Sequence, residues 1–180
     1  MELKAYNKSW LPAFKGALLI IFGIVAMLQI SGTLKSLAII FSMLIIMIGI
    51  LLLSSTFLFG KYKYPLWTIV SGILHLGFAI VLITKVEAPK ETVVKVMIAW
   101  ILFNAVTEIA EAGILITMKN AFAVLFIQNA IFSLVFGYFL SVLIADVTPE
   151  KVFRIGLIAL VFGLANEVSA YLLSRFKESK

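Results

Sequence analysis

The 180-residue chain is 63% hydrophobic and only 13% charged, with a mean hydropathy of +1.14. A water-soluble domain of this length carries nearly twice that charged fraction, so the composition excludes a soluble globular protein and indicates a chain surrounded by lipid. The absence of cysteine excludes disulfides, thiolate metal sites and cysteine catalysis. A single histidine is too few for a histidine metal cluster. The net charge of +6 lies in short segments between long apolar runs, which is typical of membrane topology rather than of nucleic-acid binding.

Apolar stretches long enough to cross a bilayer occur throughout the chain, since a crossing takes roughly 20 helical residues. They predict an all-α membrane protein, because a membrane β-barrel would show alternating segments of about 10 residues instead. Residues 1–180 are expected to form a single integral membrane domain. The six predicted spans, in chain order, are residues 10–30, 37–59, 64–84, 93–118, 121–145 and 152–174.

The basic residues predict the orientation of these six spans. On one side of the membrane lie 9 Lys and Arg residues, in the N-terminal segment, the 60–65 loop, position 119 and the C-terminal tail. On the other side lie 6, together with Glu87, Glu91, Asp146 and Glu150. Loops rich in Lys and Arg stay in the cytoplasm, so we expect both termini to be cytoplasmic.

A repeat of about 58 residues runs through the chain. Lys61, Lys119 and Lys177 each follow an even-numbered span at intervals of 58 residues. Small residues recur in the odd-numbered spans with a shift of 56 from the first repeat to the second and of 58 from the second to the third. We therefore predict three tandem helical hairpins in parallel orientation, at approximately 5–62, 63–120 and 121–180, in contrast to the inverted repeats of many transporters.

Pairs of small residues spaced seven apart are expected to be helix-packing positions. Such a pair lies on one face of a helix, and close backbone approach at small residues drives helix association in lipid. The pairs are Gly16 and Gly23, Gly72 and Ala79, Ala130 and Gly137, Ala105 and Ala112, and Gly156 and Gly163.

Four segments of the chain resemble the HdeD-like acid-resistance membrane proteins, which are built from a short repeat of unknown function. The segments are Trp10–Val25 (WLPAFKGALLIIFGIV), Trp67–Ile80 (WTIVSGILHLGFAI), Ala99–Ile114 (AWILFNAVTEIAEAGI) and Ile155–Lys177 (IGLIALVFGLANEVSAYLLSRFK). The resemblance implies a small multi-pass protein of a prokaryotic inner membrane that is linked to acid or general stress. It implies no catalytic residue.

Polar residues within the spans are the candidate functional residues. An ionisable side chain at mid-bilayer costs about 2.5–3.5 kcal/mol on insertion scales and suggests function by default. Asn104, Glu108 and Glu111 form one stripe on the fourth helix. Glu108 of the second repeat is aligned with Ile50 of the first repeat and with Asn166 of the third. The full candidate set is His75, Asn104, Glu108, Glu111, Gln128, Asn129, Asn166 and Glu167.

These groups are expected to share one layer, about 12–18 Å from the cytoplasmic lysines at 1.5 Å per residue. Because no Lys or Arg is expected at that depth, we expect the glutamates to be neutral or hydrogen-bonded to the amides and the imidazole. Two interpretations stay open: the layer fastens helices together, or Glu108, Glu111, Glu167 and His75 sense or pass protons.

The sequence favours a non-enzymatic membrane protein. It contains no phosphate-binding loop, HExxH motif or nucleophile elbow, and we expect no cofactor, metal or nucleic-acid partner. The expected partners are the lipid bilayer, a second copy of the chain or another membrane protein. The leading interpretation is an HdeD-like structural or stress-protective protein; the alternatives are a small channel or proton-coupled transporter, and an accessory subunit of a membrane complex.

Overall fold

The fold is entirely helical in the part of the chain that the structure describes. The structure is a computed structural model, and it describes residues 10–28, 34–59, 65–117, 119, 121–142 and 148–178. Lys61 and the side chain of Lys177 lie outside the described residues. The helices are α1 (Trp10–Leu28), α2 (Leu34–Phe59), α3 (Pro65–Thr84), α4 (Lys90–Thr117), α5 (Ala123–Val142) and α6 (Pro149–Glu178).

Five of the six helices, α2 to α6, are long and apolar enough to cross a membrane, and α1 contributes a shorter apolar stretch, Ala13–Leu28. Large apolar side chains such as Ile80 and Val106 point outward and are 63% and 60% exposed. Buried polar side chains point inward instead. This arrangement suits lipid, because apolar groups face the hydrocarbon while polar groups find partners inside. The prediction of an all-helical fold is confirmed, and the apolar helices suggest a multi-pass membrane protein; a sixth crossing, by α1, stays a prediction.

Residues at the helix ends explain two of the boundaries. Thr148 caps α6, since its hydroxyl accepts a hydrogen bond from the Lys151 N–H at 3.3 Å. Pro149 then occupies the first position of the helix, where a missing N–H costs nothing. After α4, Lys119 adopts a left-handed φ of 53°, a conformation that commonly ends helices.

The closest helix pairs are α1 with α6, α2 with α3, and α4 with α5. The two helices of each predicted hairpin make fewer contacts with each other than with these neighbours. The first and last helices of the chain are therefore in intimate contact. The arrangement as three tandem hairpins stays a prediction.

Glycines determine how closely α1 and α6 approach. A methyl group built on Gly23 would lie 2.6 Å from the carbonyl oxygen of Gly156, and one built on Gly163 would lie 2.7 Å from that of Gly16. Such backbone-to-backbone contact is available only to residues without a side chain. These four predicted packing residues therefore lie at one helix interface.

The other predicted packing residues, which are two glycines and four alanines, are also buried. Gly72 of α3 packs against Gly49 of α2, which was not predicted, and a methyl group on Gly137 of α5 would contact Ile101 of α4 at 3.2 Å. The alanines of the set are all 5% exposed or less; they are Ala79, Ala105, Ala112 and Ala130.

Burial follows the repeat but changes one predicted equivalence. The alternation of buried and exposed positions in α2 recurs in α4 at a shift of 56 residues, and that of α4 recurs in α6 at a shift of 58. The position aligned with Glu108 in the first repeat is thus Leu52, which is 4% exposed. Ile50, predicted to be equivalent, is 52% exposed, so the burial pattern favours Leu52 over Ile50 at this position.

Candidate functional site

The predicted polar layer lies largely inside the helix bundle. Gln128 and Glu167 are half-buried. The other six candidates are each 9% exposed or less; they are His75, Asn104, Glu108, Glu111, Asn129 and Asn166. Helical periodicity accounts for the stripe on α4, since residues three and four apart share a face.

An ion pair between α1 and α4 lies at the centre of this layer. The Lys15 ammonium donates a hydrogen bond to Oε1 of Glu108. The side chains are 11% and 1% exposed respectively. The expectation that no basic side chain reaches this depth is therefore wrong. Lys15 is the third residue of the apolar stretch of α1, and its long side chain turns inward to the glutamate rather than outward to water.

Two amide groups in the layer connect neighbouring helices. Asn104 Nδ2 on α4 donates to the Ser133 hydroxyl on α5 at 3.0 Å. The Ser169 hydroxyl on α6 donates to Gln128 Oε1 on α5 at 3.0 Å. Neither serine was predicted, because one hydroxyl in an apolar helix usually bonds to its own backbone. The repeat could have indicated Ser133, which is aligned with His75 at a shift of 58.

His75 is held in one orientation within the bundle. Its Nδ1 lies 2.7 Å from the carbonyl oxygen of Ser71, one turn earlier, so Nδ1 carries the proton that the carbonyl accepts. The imidazole makes edge contacts with Trp100 and Phe103, whose ring centroids lie 5.8 and 5.3 Å away. His75 therefore lies at the edge of the polar layer, in contact with two aromatic rings of α4.

A cavity of about 60 Å³, here called the central chamber, adjoins the Lys15–Glu108 pair. Its polar end carries Lys15, Asn104, Glu108, Asn129, Ser133 and Asn166. Its other end is aromatic: Phe41 contacts Trp100 edge-on at 5.1 Å between ring centroids, and Phe41 and Phe136 are stacked at 6.4 Å. The chamber thus has hydrogen-bonding side chains at one end and apolar aromatic rings at the other.

A smaller cavity of about 10 Å³ lies on the other side of the ion pair, where Lys15 and Glu108 meet Ser71, Thr107 and Glu111. The carboxylates of Glu108 and Glu111 therefore share a neighbourhood with Lys15. Within the described ranges, no group of three or more His, Asp or Glu side chains is arranged to hold a metal ion.

Part of the chain is similar to a known protein family. Residues 14–84 match a family described as a short repeat of unknown function (DUF308). No curated protein and no solved structure matches the chain. The family match and the apolar helices together suggest an integral membrane protein of unknown function.

Proposed function

We propose that this chain is a non-enzymatic membrane protein of the HdeD-like kind that protects a prokaryotic cell against acid stress, with the Lys15–Glu108 pair as its proton-responsive group. The match of the short repeat to residues 14–84 supports the family. The recurrence of the burial pattern at shifts of 56 and 58 residues supports three repeated units in the chain. Location in the inner membrane, with both termini in the cytoplasm, is part of this proposal.

The buried ion pair is the observation that carries the proposal. Removing a carboxylate and an ammonium from water costs several kcal/mol for each ion, and an apolar pair of similar volume often stabilises a protein equally well or better. An ionisable group kept at this depth is therefore a functional candidate. The pair also joins α1 to α4, two helices that are not closest neighbours.

Protonation would change this contact directly. When Glu108 takes up a proton, the Lys15 ammonium keeps its charge but loses its counter-charge in an apolar environment, which is strongly unfavourable. The lysine then has to find another partner or move toward water. Glu111 borders the same small cavity and offers a second carboxylate. Acid would in this way alter the contact between α1 and α4.

Survival of acid-treated cells tests the proposal. A deletion strain is complemented with the wild-type chain, with Glu108→Gln or with Glu87→Gln. The last is the control, because Glu87 also pairs with a lysine, Lys35, but its side chain is 74% exposed. We expect the wild type and the control to restore survival and Glu108→Gln to fail. Full rescue by Glu108→Gln, or equal survival of the deletion and parent strains, would refute the proposal.

Proton-coupled transport is a second candidate, favoured by the central chamber beside the ion pair. In this case proteoliposomes containing the wild type would dissipate a pH gradient, and Glu108→Gln would abolish the flux. Infrared spectra of the same samples should show a carboxyl band that titrates with pH and is lost in this variant. Gradients that decay equally with and without the protein would exclude transport of protons.

A further inference from the structure

Asn166 places hydrogen-bonding groups at the central chamber that have no partner in the protein. The residue is 0% exposed and lines the chamber. Among the described residues, neither its Nδ2 nor its Oδ1 has a hydrogen-bond partner. A buried polar group without a partner costs about 1–3 kcal/mol. In Asn166 both the donor and the acceptor of the side-chain amide are buried without a partner among the described residues. The amide is thus equipped to bind a molecule that both donates and accepts.

Other groups at the chamber have the same property. Nδ2 of Asn129 and Oε2 of Glu108 make no hydrogen bond of good geometry among the described residues, although these two side chains lie close enough to interact with each other. Nε1 of Trp100, at the aromatic end, is likewise without one in this part of the chain. Together with the Asn166 amide on α6, these atoms on α4 and α5 belong to three helices, so a bound molecule would be held from several directions.

Charge and size limit what can bind. The Lys15 and Glu108 charges neutralise each other, so an ion in the chamber would lack a counter-charge in an apolar bundle. A volume of about 60 Å³ accommodates about four to six water-sized groups, at roughly 10–15 Å³ for each. The aromatic end favours an apolar portion opposite the polar end.

We propose that the central chamber is a binding site for a small neutral molecule that both donates and accepts hydrogen bonds, with Asn166 as its main anchor. Water molecules and a primary amide of about four non-hydrogen atoms share this chemistry. This site does not depend on the acid-stress proposal. Binding in the central chamber requires Glu108 to stay paired with Lys15, and it takes place at neutral pH.

The test uses the full-length protein in detergent micelles at neutral pH, labelled with 15N-asparagine, and acetamide as the probe. Saturable shifts of the Asn166 side-chain amide signal and a rise in Tm would show binding of a solute. Asn166→Leu, which has nearly the same shape, should weaken acetamide binding at least tenfold. The control Ser42→Ala removes a buried hydroxyl that does not line the chamber and should bind normally. Asn129→Leu is a second variant in case Asn166→Leu does not fold.

A separate arm distinguishes water from a solute. Magnetisation transfer from a long-lived water to the Asn166 amide, without any response to acetamide, would assign water as the bound molecule and support the site. Acetate, as a charged probe of similar size, should not bind. Uptake of xenon without an effect of acetamide or a signal from bound water would identify a dry apolar cavity and overturn the proposal. An acetamide response unchanged in both leucine variants would also overturn it.

Discussion

Replacing Gly156 with alanine should separate α1 from α6. The added methyl carbon would lie 2.7 Å from the carbonyl oxygen of Gly23 and 3.0 Å from the Met27 backbone nitrogen. Ordinary van der Waals contact begins at 3.4 Å, so the backbones must move apart by about 0.7 Å at this crossing. Because the obstacle is backbone rather than a flexible side chain, we expect a loss of about 1–3 kcal/mol in the free energy of unfolding.

Gly77→Ala is the matched control for this variant. Gly77 is also in the middle of a membrane helix, but a methyl group there would meet nothing within 4 Å. Alanine is a better helix former than glycine by about 0.5–1 kcal/mol, so the control should be neutral or slightly stabilising. Unfolding in mixed micelles, followed by circular dichroism against the fraction of SDS, measures both variants. Equal midpoints for the two variants would refute the close packing of α1 on α6.

Three further results are expected. Glu108→Gln leaves the Lys15 charge buried and unpaired, which should lower the free energy of unfolding, measured by thermal unfolding, by about 3–5 kcal/mol. The double variant with Lys15→Met should recover most of this loss. A double variant as unstable as Glu108→Gln would contradict the ion pair. Ser133→Ala removes one interhelical hydrogen bond and should cost about 0.6 kcal/mol; a loss above about 2 kcal/mol would show that the serine has a larger role. The chain contains no cysteine, so single cysteines can report the orientation in the membrane. An impermeant maleimide added to intact spheroplasts should label Lys85→Cys but not Thr117→Cys. The opposite labelling pattern would reverse the proposed orientation.

The helices could be predicted because lipid requires long apolar segments, which are visible in a single sequence. The predicted span 64–84 agrees with α3 (Pro65–Thr84), and 93–118 with α4 (Lys90–Thr117). The larger difference at the end of α6, which continues to Glu178, has a clear cause. Three of the four residues that follow position 174 in this helix are charged, so apolarity marks where the membrane ends rather than where the helix does.

The neighbours of each helix could not be predicted in the same way. A spacing of seven residues places Gly156 and Gly163 on one face of α6, but it does not specify which helix that face meets. The structure places α1 there, at the opposite end of the sequence. The position of Lys15 was missed for a related reason. A lysine near the start of a span usually extends to the membrane surface, and only the inward-facing position next to Gly16 directs it to Glu108.

The predicted repeat offers a reason why the positions aligned with this ion pair are uncharged elsewhere in the described part of the chain. At the shifts that burial supports, Lys15 is aligned with Ser71 and Asn129, while Glu108 is aligned with Leu52 and Asn166. If each of the three predicted repeats kept the lysine, three ammonium groups would share one apolar layer and repel one another, and each would need its own buried carboxylate. Hydroxyl, amide and aliphatic side chains at the other positions avoid that cost. The Lys15 cation and the Glu108 carboxylate then lie beside the amides of Asn129 and Asn166, and protonation of Glu108 removes the negative charge from this pair.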